Sequence, residues 1–192
     1  MVEQQGFDNF TKAGFARLLK HFENNTDDVV KLTRAFALAN KAHRGQHSSA
    51  GDSEPHINHS LRVALILAEE FQVRDCDLVA AALLHDSLES GLPEADIVAE
   101  CGDKVAATVR LATEPPKGKA EEYFARLAKE PREARLVKLA ERLEMARSLK
   151  NHAYRDRALR YKEETQKYVV PLAQGTDERF AFKLSVALYE IK

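Results

Sequence analysis

The sequence predicts an all-α protein, one helical bundle of about nine or ten helices spanning residues 1–192. Three observations predict it. Apolar residues recur with a 3.6-residue period almost throughout, no run alternates convincingly at period two, and breaks containing Gly or Pro punctuate the periodic segments. Val29, Val30, Leu32, Phe36, Ala37 and Ala39 mark a helix running to about Ala42, and Leu61, Val63, Ala64, Ile66, Leu67 and Phe71 mark the next. A third is predicted from Asp77 to about Glu89; its opening turns are apolar on every side, which places it at the centre of the bundle. Gly91-Leu92-Pro93 breaks the chain, Pro93 with Glu94 and Asp96 starts a helix, and Gly102 sits where a C-cap would end it. Val105 to Ala112 follows, then the loop Pro115-Pro116-Lys117-Gly118, then helices over Glu121 to about Lys129, Pro131 to Leu149, and Tyr154 to Ala173. Gln174-Gly175-Thr176-Asp177 stops that rod and caps a last helix, with Phe180, Phe182, Leu184, Val186 and Leu188 available for packing. Neither a repeat nor a shift of composition divides the chain, so one domain is expected.

Composition excludes several classes of function. With 44% hydrophobic and 31% charged residues the chain is globular, and 29 Lys plus Arg against 30 Asp plus Glu leave a net charge of −1. That balance speaks against nucleic acid as a partner, because binding it draws on a basic excess. The longest apolar run, Leu78 to Leu84, falls far short of the roughly 20 residues that span a bilayer, so no membrane partner is expected. MVEQQGFDNF lacks a secretory pattern, and Cys76 and Cys101 are too few for a disulfide scaffold; a cytoplasmic protein is expected.

The oddity is seven His against no Trp. His21 and His152 lie in polar surroundings and read as solvent-facing, whereas His43, His47, His56 and His59 crowd one stretch and His85 closes the central apolar run. Leu83-Leu84-His85-Asp86 places two titratable groups after buried positions, at a cost unless something pairs with them. A divalent metal would satisfy both, since it takes neutral imidazole nitrogen and carboxylate oxygen. Taken alone, the pair reads equally well as a core histidine bonded to a carbonyl beside a helix-end charge.

Its surroundings are more specific. Ala42-His43-Arg44-Gly45-Gln46, Glu54-Pro55-His56-Ile57-Asn58-His59, Ala81-Ala82-Leu83-Leu84-His85-Asp86-Ser87-Leu88-Glu89 and Leu136-Val137-Lys138-Leu139-Ala140-Glu141-Arg142-Leu143 occur in this order. Together they resemble the HD-domain hydrolases of the RelA/SpoT group, and the length fits the stand-alone small alarmone hydrolases. The resemblance implies a helical HD domain that holds one Mn(II), or another divalent transition metal, through His59, His85, Asp86 and Glu141. At the last of these the family carries Asp. It further implies hydrolysis of the 3′-diphosphate of guanosine tetra- or pentaphosphate. Glu89 matches the family's acid/base position and Ser90 the Asp that assists it; helical spacing puts Glu89 at i+4 from His85 and i+3 from Asp86, on their face.

The implied substrate contacts depart furthest from the family. Ser48 and Ser49 replace a basic pair, His56 replaces a Tyr, and Met145 replaces a ribose-contacting Asn, whereas Ser148 matches a small hydroxyl and Arg157 with Tyr161 matches an Arg-x-x-x-Tyr element. Lys117 and Lys119 in the Pro-Pro loop read either as phosphate contacts or, more commonly for a basic loop, as solvated charges, and His43 and His47 read as supporting or loop residues. The expected partner is a small-molecule nucleotide, with a homo-oligomer left open. Two alternatives remain: the same chemistry on another nucleotide, dinucleotide or phosphoester, and a degenerate, non-catalytic nucleotide-binding HD domain, which Glu141 and Ser90 would favour.

Overall fold

Helix boundaries in the computed structural model follow the punctuation of the sequence, over described residues 7–44, 46, 54–115, 119–151 and 155–192. The helices are α1 (Asn9–Lys20), α2 (Thr26–Ala42), α3 (Ile57–Leu65), α4 (Cys76–Leu83), α5 (Glu94–Cys101), α6 (Asp103–Ala112), α7 (Ala120–Leu127), α8 (Arg132–Ser148), α9 (Arg155–Glu164), α10 (Val170–Gln174) and α11 (Glu178–Glu190). A π-helical turn at Ile66–Glu70 extends α3, and a second at Thr165–Val169 joins α9 to α10 in one rod, so the described residues form ten rods and no strand. The second π turn has a local cause. Pro171 lacks an N–H and its ring would press on the carbonyl four residues back; a wider turn just ahead relieves that clash.

Asp8, Asn25, Asp75 and Asp177 cap α1, α2, α4 and α11 by accepting backbone N–H groups, and Gly102 ends α5 at φ +92°, a conformation that favours glycine. As its composition predicts, α4 is central: Leu78 through Leu84 are all buried, and α4 packs on α2, α3, α6 and α8. Helix α1, which the periodicity reading passed over, lies against α3 so closely that a Cβ on Gly14 would come within 2.9 Å of Leu61. Asp8 pins the pair by accepting from Asn58 Nδ2 at 2.7 Å, one residue before His59.

Two expectations need correction. The third predicted helix stops at Leu83, and residues 84–91 run as successive turns. On α11 the packing face is Phe180, Ala181, Leu184, Ala187 and Leu188, whereas Phe182 is 72% and Val186 50% exposed. Phe182, Val186 and Tyr189 make their own i, i+4, i+7 stripe on the outer side, and periodicity alone does not tell which of two apolar stripes meets the core. No helix among the described residues is long and apolar enough to cross a membrane.

Glu70, in the π turn, ties α3 to α8 and α11 through Arg147 and through Lys183 at 2.7 Å. Arg147 above all, with Lys183, holds its carboxyl at about 2. A carboxylate depressed in the folded state stabilises above its unfolded pKa and loses that contribution as pH falls through its folded one. Glu70→Gln is therefore expected to lower stability by about 1 kcal/mol at pH 7, well below what the shift alone would give because the pair is partly solvated. Denaturant melts repeated from pH 6 down to pH 2 should show that difference shrinking below about pH 4.5.

Candidate metal centre

The ladder of i→i−4 bonds stops where the Leu84 N–H is shared between the carbonyls of Ala80 and Ala81; thereafter Ser87 N–H reaches Leu84 and Ser90 N–H reaches Asp86 as separate turns. On a regular helix, adjacent residues point about 100° apart. Leaving the helix lets His85 and Asp86 both face inward, with His85 Nε2 3.8 Å from Asp86 Oδ2. His59 comes to meet them from the first turn of α3, its Nε2 3.2 Å from Nε2 of His85.

The outer nitrogens of both rings are committed. His85 Nδ1 lies 3.0 Å from the Ala82 carbonyl and His59 Nδ1 lies 2.6 Å from Glu144 Oε2. Each partner accepts, so each Nδ1 carries a hydrogen, and between neutral rings each Nε2 presents a lone pair to the other. A cation relieves that contact at 3.2 Å, either a proton on His59, which Glu144 favours, or a metal ion. With Asp86 these residues place three ligand atoms within 4.8 Å of one another, so the donor set fits a divalent transition metal. Burial opposes ionisation of Asp86, but the neighbouring His85, with hydrogen bonds from His43 and His56, holds its pKa well below the usual carboxylate range. Burial lowers that of His85.

Glu141 projects from α8 without joining that cluster among the described residues; its Oε2 sits 3.1 Å from Lys138 Nζ. Burial works against its charge, yet Lys138 and Arg142 keep its pKa below the ordinary value. Glu89 does not ride on a continuous helix as expected. It stands exposed at the rim, accepting the Glu114 N–H at 3.3 Å. Partial loss of water on its inner side raises its pKa against the pull of Lys138. Ser90 Oγ lies 3.2 Å from His43 Nδ1.

The other site candidates are scattered. His56 reaches inward to Asp86 at 2.5 Å. Ser148 donates to the Glu144 carboxylate at 3.0 Å, and Met145 packs half-buried against the core. Tyr161 donates to the Arg142 carbonyl at 2.7 Å with the Arg142 guanidinium 4.1 Å above its ring; Arg157, one turn earlier, is exposed. Ser48, Ser49, His47, Lys117 and His152 lie outside the described residues. Lys119 faces solvent near Glu122, and His21 is half-buried, 3.5 Å from Glu69.

One functional residue escaped the sequence reading. Glu144, only 3% exposed, holds the His59 ring in place while Arg62 Nε donates to its other oxygen at 2.7 Å. Burial raises its pKa, but His59 and Arg62 outweigh that and hold it at about 2.

Comparison with known proteins agrees with this geometry. Residues 35–176 match the family described as HD domain. The guanosine-3′,5′-bis(diphosphate) 3′-pyrophosphohydrolase MESH1 of Danio rerio is 32% identical over 65% of this chain and 72% of its own length. A GTP pyrophosphokinase of Streptomyces coelicolor is 33% identical over 77% of this chain, which spans only 18% of that longer protein. A solved metazoan ortholog of SpoT, described as hydrolysing ppGpp and acting in starvation responses, superposes with a TM-score of 0.76 at 27% identity. That alignment covers 83% of this chain and 94% of the other.

Proposed function

Because this chain belongs to the HD-domain family, we propose that it is a manganese-dependent hydrolase that removes the 3′-diphosphate of guanosine tetra- and pentaphosphate. The observation that carries this reading is the convergence of His59 Nε2 and His85 Nε2, 3.2 Å apart, with a carboxylate oxygen of Asp86, all within 4.8 Å of one another. When bound, a divalent cation supplies Lewis acidity, which makes water acidic enough to ionise near neutral pH and offsets phosphate charge. His59, His85 and Asp86 are the residues that would hold it. Glu141, kept ionised beside Lys138, adds negative charge to the same wall.

Glu89 is the proton-transfer group in this reading. Its raised pKa brings a carboxylate closer to the operating pH, as a group that takes and returns a proton requires. Ser90 steadies His43, and His43 in turn bonds Asp86 at 2.9 Å. By the resemblance, Ser48, Ser49, His56 and Tyr161 are assigned to the base, Met145 to the ribose and Arg157 to a phosphate, with Ser148 as a further pocket hydroxyl. The protein acts as one domain, in the cytoplasm.

A second reading rests on a specific observation: the hydroxyls of Ser148 and Tyr161 are spent on Glu144 and on the Arg142 carbonyl, so neither is a ready donor to a nucleotide. That would suit another phosphoester of similar charge. A nucleotide panel assayed with manganese separates the two. Release of pyrophosphate from guanosine tetraphosphate, abolished by chelation and restored by Mn(II), is the expected result. Turnover of another nucleotide while guanosine tetraphosphate stays intact would overturn it.

A further inference from the structure

Asp86 is shared between two triads. On its inner side stand His59 and His85; on its outer side His43 Nε2 lies 2.9 Å from Oδ1 and His56 Nε2 lies 2.5 Å from Oδ2. The ligand atoms of His43, His56 and Asp86 fall within 4.8 Å of one another, as tightly grouped as those of the inner triad. The two outer rings are 4.2 Å apart between centroids and tilted by 36°, so their nitrogens converge on the carboxylate instead of stacking flat.

His43 is 4% exposed at the C-terminal end of α2, and its Nδ1 lies 3.2 Å from both the Gln46 side-chain oxygen and Ser90 Oγ, which fix the ring. Its Nε2 bonds Asp86 Oδ1, so a cation taken up there replaces the hydrogen between the two atoms and keeps both as ligands. His56 sits at the position where the related pattern carries Tyr, so this chain adds a nitrogen donor beside the Asp that the inner triad already uses.

We propose that His43, His56 and Asp86 hold a second divalent transition cation, with Asp86 bridging it to the inner one. Two imidazoles and a carboxylate favour manganese, iron, cobalt or zinc over magnesium or calcium, which prefer all-oxygen shells. A second cation would offset charge on the phosphates of a bound nucleotide. Two neighbouring cations are a recurrent arrangement for displacement at phosphorus. The bridge rests on the inner site of the proposed function; the outer donor set stands on its own geometry.

Metal stoichiometry tests this directly. The full-length protein is equilibrated by dialysis with Mn(II), and the metal per chain is measured by plasma mass spectrometry alongside low-temperature electron paramagnetic resonance. About two Mn(II) per chain and a spin-coupled signal are expected at saturation; His56→Phe, which keeps a ring, should hold one, with an uncoupled signal. His43→Ala should do the same, and circular dichroism verifies that it folds. One Mn(II) per chain in the unaltered protein, or two retained in His56→Phe, overturns the second site and leaves the proposed function standing. No bound metal at all overturns both.

Discussion

Asp86→Asn is expected to cut kcat/KM on guanosine tetraphosphate by about 10³-fold, since a charged ligand to a catalytic cation is worth several kcal/mol and each 1.4 kcal/mol is a factor of ten. The change preserves shape while removing the charge and turning one acceptor oxygen into an amide donor. Four imidazoles surround this carboxylate: His43 and His56 bond it, His85 Nε2 is 3.8 Å away, and the His59 ring follows next, its centroid 5.0 Å from that of His85. Asn keeps one oxygen for His43 or His56 and loses the other acceptor, so a modest fall in melting temperature is expected alongside the loss of activity. Manganese content should fall with activity. A variant retaining activity within tenfold of the unaltered protein would remove Asp86 from the centre and the metal reading with it.

The inner triad was legible because its residue types are costly to bury without a purpose, and they recur in ordered blocks. Its geometry was not. Nothing in Leu83-Leu84-His85-Asp86-Ser87-Leu88-Glu89 breaks a helix before Gly91. The helix ends early because both adjacent polar groups must reach one point, a tertiary demand that local propensity does not register. The caps and breaks at Gly102 and Asp177 were readable for the opposite reason: they act locally. Glu144 was missed inside a charged stretch of α8, although a signal was present. It lies four residues after Ala140 and next to Leu143, on the buried stripe of that helix, where an acidic residue needs a partner. Glu141, nearby on the same helix, drew attention by its position in a motif, whereas the structure pairs it with Lys138.

Glu144→Gln should weaken manganese binding by about 10- to 100-fold, the usual cost of losing a carboxylate that orients a metal-binding histidine. Gln retains one oxygen, for which the His59 Nδ1–H and the Arg62 Nε–H then compete, and it leaves the Arg62 guanidinium with less compensation, so a stability loss of about 2 kcal/mol is also expected without metal. A carboxylate that only held α3 to α8 would lower stability equally with and without metal. A positioning carboxylate makes the loss larger in saturating Mn(II), because stabilisation by a bound ligand falls as its dissociation constant rises. The pH dependence adds a second signature. Burial disfavours charge on His59, yet Glu144 prevails and raises its pKa, so a proton competes with the cation to a higher pH than for a free imidazole. Removing the carboxylate's charge lowers that pKa; the pH at which metal is lost should move downward even as the plateau affinity drops. Titration of Mn(II) binding between pH 5 and pH 8 would show the two curves crossing in slope, and parallel curves would reduce Glu144 to a structural clamp.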